Sequence, residues 1–230
     1  MPDNASALDL VLAGDPALFA IVRLSLLVSL AAMAFATLIG LPFGAWVARA
    51  RFRGREVVIV VLNALMGLPP VVVGLAVYLL LSRSGPLGSF GLLFTPQAMI
   101  VAQTILITPI IAALARQTIE DLWAEYRDEL AAMAIGPARR VATLLWDARF
   151  SLVTALLAGF GRAAAEVGAV IIVGGNIEGF TRTMTTAIAL ETSKGDLPLA
   201  IGLGLVLIAI VVAVNAAAWA LRRAGERFAG

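Results

Sequence analysis

Five runs of apolar residues dominate the chain, at 20–47, 57–81, 97–115, 151–173 and 199–221. About 20 helical residues cross roughly 30 Å of hydrocarbon, so each run is long enough to span a bilayer. Lipid offers no partner to a free backbone N–H or C=O, which leaves helices and closed barrels as the spanning forms. Barrel strands alternate in character over about ten residues, whereas these runs are continuous. The expected fold is an all-α polytopic membrane protein with about five transmembrane helices, one domain over 1–230. With 61% hydrophobic and 14% charged residues, the chain has too little polar surface for a soluble domain of its size.

Composition removes several chemistries. There is no cysteine and no histidine, which excludes disulfides, zinc sites and His-based proton transfer. The sole lysine, Lys194, lies in "ETSKGD" and not in the glycine-rich Gly-Lys-Ser/Thr turn that cradles phosphates. If ATP drives this chain, another chain binds the ATP. No cofactor, metal or nucleic acid is expected here. The segment "MPDNASALDLVLAGDPALF" lacks the basic start of a cleaved signal peptide, so the spans themselves direct insertion.

Arginine placement sets the expected topology. Arg49, Arg51, Arg53 and Arg55 follow the first run; five more lie between Arg116 and Arg149; Arg222, Arg223 and Arg227 follow the last. The alternate loops hold only Arg83, Arg182 and Lys194. Twelve basic residues against three put the 116–150 loop and the C-terminus in the cytoplasm and the N-terminus outside a cell membrane. Arg23 and Arg162 lie within or next to spans and do not count.

Prolines punctuate the spans in "IGLPFG", "MGLPPVVVG" and "ITPII". A proline in lipid frees a carbonyl that protein or water must satisfy. Kinked helices lining a pathway and ordinary helix packing both fit. No inverted repeat divides the chain into halves.

The loop "EYRDELAAMAIGPARRVATLLWDARF" is charged and helix-prone. Leu122, Trp123, Tyr126, Leu130, Met133 and Ala134 recur at helical spacing before Gly136, expected as a left-handed cap. Pro137 suits the first turn of a second helix with Val141, Leu144 and Leu145 on one stripe. Two helices should meet at a sharp turn. Ala131 and Ala132 beside it would let another protein approach the backbone. An amphipathic helix lying on the membrane is the alternative, though residues 120–129 are too acidic to favour it.

In the fourth run, Arg162 and Glu166 are four apart and can pair on one helix face. A charge inside a membrane is costly unless paired or wetted, which marks such residues as functional candidates. Arg162 either attracts an anion or is neutralised by Glu166 in a dimer contact or gate. The second reading is stronger, because a satisfied guanidinium has little charge left for a passing ligand. Small residues around the pair permit close helix contact.

These motifs carry a resemblance. The loop resembles the E-A-A-x-x-x-G coupling loop of ABC importer permeases, with Ala131, Ala132 and Gly136 on A, A and G. Leu130 takes the acidic position, Glu129 precedes it, and "WDAR" replaces I-x-L-P. "GFGRAAAEVGA" is similar to the F-x-R-A-x-x-E-x-G-A segment of the sulfate, molybdate and tungstate branch, at Phe160, Arg162, Ala163, Glu166, Gly168 and Ala169. "LLWDARF" and "GGNIEGFTRTMTTAIALETSKGD" look most like tungstate permeases. The likeness runs from about Leu41 onward.

It implies a homodimeric permease importing tungstate, or alternatively molybdate or sulfate. A cytoplasmic ATPase carrying ATP and magnesium would dock at Glu129, Ala131, Ala132, Gly136 and Pro137. An extracytoplasmic binding protein would face the 176–196 segment, which is otherwise a solvated loop with a short helix near 184–191. A self-sufficient secondary anion transporter and a membrane scaffold are the competing classes; neither gives the 125–150 loop a task.

Overall fold

The computed structural model describes residues 16–133 and 136–229. Ala134, Ile135 and residues 1–15 of the N-terminal segment read above lie outside these. Nine α-helices are present among the described residues: α1 (Pro16–Arg49), α2 (Arg55–Met66), α3 (Pro70–Leu81), α4 (Pro96–Ala132), α5 (Pro137–Asp147), α6 (Arg149–Ala164), α7 (Gly168–Gly174), α8 (Met184–Lys194) and α9 (Leu197–Ala229). Helices α1, α4 and α9 are each long and apolar enough to cross a membrane, and bent pairs bring the possible crossings to five. The protein is a polytopic helical membrane protein.

Helix α4 is the central post. Its most apolar stretch is 67% buried, against 33% for α1 and 17% for α9. It packs against α1, α2, α3, α6 and α7. The α1–α4 seam is made of small residues, with Ala32, Ala36, Ala45, Ala112 and Ala115 fully buried. Without a hydrophobic force between helices in lipid, such seams hold by close van der Waals contact. At Gly44 an added Cβ would stand 2.4 Å from the Ala112 carbonyl oxygen. That oxygen belongs to the core helix and has nowhere to move. Gly44→Ala is expected to cost about 1–3 kcal/mol, read as a lower unfolding temperature in detergent. Gly204→Ala in α9, where a Cβ meets nothing within 4 Å, should leave that temperature unchanged.

Four expectations need correction. The second span is not one kinked helix. Helices α2 and α3 meet at 100°, and at 12 residues each they rise only about 18 Å. A residue before proline is forced out of helical geometry. Leu68 precedes Pro69, which precedes Pro70, and Pro69 itself is extended (φ −63°, ψ 122°). The third span and the helix expected at 116–135 are one 37-residue helix, α4, since no breaker lies between Ala115 and Ala132. The fourth span breaks after Ala164 and restarts at Gly168. Gly136 is not a left-handed cap: it is extended (φ −64°, ψ 155°) and stands at the N-cap of α5, with Pro137 in the first turn. A proline at 137 imposes that extended geometry on the residue before it.

Candidate gate and coupling surface

The break in the fourth span is built around Glu166. The Arg162 guanidinium donates to Glu166 Oε2 at 2.5 Å, and the Ala169 backbone N–H donates to Glu166 Oε1 at 2.9 Å. One carboxylate thus neutralises the arginine and satisfies an orphan donor in the first turn of α7. The Glu166 side chain is 2% exposed and that of Arg162 29%. The pair forms across the helix end and not along an unbroken helix face. Helix α3 presses on the break: a Cβ on Gly74 would stand 2.8 Å from Ala169 Cα, and one on Gly168 3.0 Å from Val71.

Polar side chains from distant segments converge beside it. Gln103 of α4 donates to the Ala163 carbonyl at 3.1 Å. Thr185 of α8 donates to the Glu166 carbonyl at 2.7 Å. Ser25 of α1 accepts the Met184 N–H at 2.7 Å, tying α1 to the start of α8. Thr181 donates to the Gly174 carbonyl at 2.6 Å and accepts the Ile177 N–H. Ser25, Ser29, Gln103, Thr183 and Thr185 line a cavity of about 20 Å³, room for one water. Gln103 Oε1 is buried there without a protein partner. The sequence reading missed these residues. The signal was available in a lone amide within an apolar run and in threonines at 181, 183, 185 and 186.

The motif residues of the 125–140 loop lie together at the opposite end of the bundle. Glu129 and Ala132 are exposed on the last turn of α4, with Ala131 between them, and Gly136 is exposed at the entry to α5. Among the described residues, nothing stands within 4 Å of a Cβ built on Gly136. The tip is well anchored. Ile119, Leu130, Leu144, Ala148 and Leu152 form a buried cluster with Ala45, Ala48 and Ala115, and Leu122, Trp123, Tyr126, Val141 and Leu145 pack on it. Glu120 pairs with both Arg55, at 2.7 Å, and Arg116, fixing the start of α2 to α4. The tip is thus tied to α1, α2, α4 and α6.

At the gate end, Arg23 of α1 and Arg182 line a groove of about 320 Å³ with Glu178 and Phe180. Arg182 reaches Glu178 at 3.5 Å. Arg23, which lies within or next to a span and so does not enter the topology count, is here a lining residue.

No protein-family model matches the chain. A probable anion ABC transporter permease protein of Haloferax volcanii is 48% identical over 206 residues, 86% of this chain and 88% of its own. The tungstate uptake system permease protein TupB of Peptoclostridium acidaminophilum is 39% identical over 217 residues, 94% of this chain and 95% of its own. The molybdenum transport system permease protein ModB of Azotobacter vinelandii is more distant, at 27% over 177 residues. The chain belongs to the anion permeases of ABC transporters, in the branch that holds the tungstate, molybdate and sulfate permeases.

Proposed function

We propose that this permease is the membrane subunit of an ATP-driven importer of tungstate and works as a homodimer. The observation that carries the reading is its likeness, over nearly the whole of both chains, to a permease named for tungstate uptake. Molybdate or sulfate would use the same path, and the more distant likeness to their permeases makes them the second choice.

The arginine-rich end faces the cytoplasm, as the basic-residue bias favours. There the exposed Glu129, Ala132 and Gly136, with Ala131 and Pro137, receive a separate ATPase subunit that holds ATP and magnesium. The other end receives the binding protein, and Arg23, beside the Arg182–Glu178 pair, offers positive charge to an arriving oxyanion. The polar cavity within one bundle admits a water and not a tetrahedral oxyanion, which supports a path between two copies. ATPase closure moves the α4–α5 tips, and the two chains rock as rigid bodies to open that path. Arg162 and Glu166 hold the break at α6–α7 as a gate element with no net charge. A bare arginine there would bind the anion midway and slow its release.

The energy source separates this reading from a secondary transporter. Oxyanion uptake should continue in cells whose proton and sodium gradients are collapsed while ATP is maintained, and should stop when ATP is depleted. Uptake that follows the gradients and ignores ATP contradicts the proposal.

A further inference from the structure

The arginine-rich end holds a second pocket that transport leaves unused. Its volume is about 290 Å³, and Arg49, Arg51, Arg55, Arg127, Glu120 and Trp123 line it. Four guanidiniums line it with one carboxylate; Arg55 also pairs with Glu56 and Arg127 with Asp128, which leaves positive charge in excess. The Glu120 carboxylate is already committed, to Arg55 and to Arg116. Arg55 also donates to the Val47 and Ala48 carbonyls at 3.0 and 3.3 Å, closing the end of α1. The Arg49 guanidinium lies over the Trp123 ring, 5.1 Å from its centroid. A concave site with surplus charge and forked donors matches the oxygens of a phosphate.

A separate observation sets the depth of this pocket. Phe43, Trp46 and Phe52 form an exposed stack, with ring centroids 5.9 and 5.2 Å apart. The stack comes from the same 43–52 segment that supplies Arg49 and Arg51. Outward-facing aromatic rings at the end of a membrane helix sit at headgroup level. We propose that the pocket binds the phosphodiester headgroup of an anionic lipid and so holds the α1–α2 turn against α4. A soluble oxyanion would use the arginines alone; a lipid uses the arginines and the aromatic stack together.

The test is native mass spectrometry of the full chain in neutral detergent, with equimolar phosphatidylglycerol and phosphatidylcholine added. Phosphatidylglycerol should be retained preferentially, with about a five-fold loss for each arginine removed. Arg49→Gln with Arg51→Gln should bring the two lipids near parity. Arg51→Gln with Arg127→Gln, both at exposed positions, gives the same readout if the first pair disturbs folding. Arg83→Gln, at the opposite end, should change nothing. Parity in the unmodified protein, or an undiminished preference in both double variants, would overturn the proposal. So would displacement of the lipid by inorganic phosphate beyond that by chloride of equal ionic strength, which would assign the pocket to a soluble anion.

Discussion

Glu166→Ala is expected to abolish anion uptake and to destabilise the protein by about 3 kcal/mol. The substitution strands the Arg162 guanidinium within the membrane, where an unpaired arginine is costly. It also leaves the Ala169 N–H without its acceptor. The effect sits at the lower end for a broken buried pair because Arg162 keeps some exposure. Glu166→Gln separates the two losses. Its amide oxygen can still accept from Ala169, but it cannot neutralise the arginine, so its unfolding temperature should lie between those of Glu166→Ala and the unmodified protein. Arg162→Ala combined with Glu166→Ala should recover part of the stability, since no charge is stranded, and should recover no transport if the pair is a gate. Thermal unfolding in detergent and oxyanion uptake read the two effects separately. Unchanged uptake in Glu166→Ala would remove the pair from the mechanism.

The second large effect is expected at Gly136. A Cβ built there meets nothing within 4 Å among the described residues, and the extended backbone suits any residue. Expression should hold and stability should fall by no more than about 1 kcal/mol, the cost of replacing an N-cap glycine by a non-capping residue. Uptake should nevertheless fall by at least about ten-fold, which a docking loss of 1.4 kcal/mol would produce. The contrast is the informative part: a variant that stays folded and expressed yet loses uptake points to something that docks at this tip. Full uptake in a well-expressed Gly136→Leu variant would contradict ATPase docking at this tip.

The long helices α1, α4 and α9 were legible because apolar runs near 20 residues have few other fates; the two other runs are broken. The α4–α5 turn was legible from Ala131, Ala132 and the Gly136–Pro137 step, although the role of Gly136 was misread: proline at 137, and not a left-handed glycine, sets the geometry. The break at 165–167 was hidden. "RAAAEVGA" reads as good helix, and only the Glu166 carboxylate, turned back onto the Ala169 N–H, ends one helix and starts the next. The 100° bend between α2 and α3 was announced by Pro69 and Pro70, but its size follows from two successive residues being driven out of helical geometry. The lone amide Gln103 and the threonines at 181–186 stood out in the sequence, but their meeting with Ser25 was not legible, since the three segments are far apart in the chain. Charge counting leaves Arg23 out because it lies within or next to a span, and only the fold sets it with Arg182 on one groove.

The central claim, that this permease brings tungstate into the cell, is tested most directly by elemental mass spectrometry. Cellular tungsten and molybdenum would be measured in cells with and without the gene, each oxyanion supplied at scarce, nanomolar levels. The account predicts that tungsten falls in the deleted cells while molybdenum holds, and that restoring the gene restores tungsten. A loss of molybdenum with tungsten unchanged would contradict the tungstate assignment and move the protein to the neighbouring part of its branch.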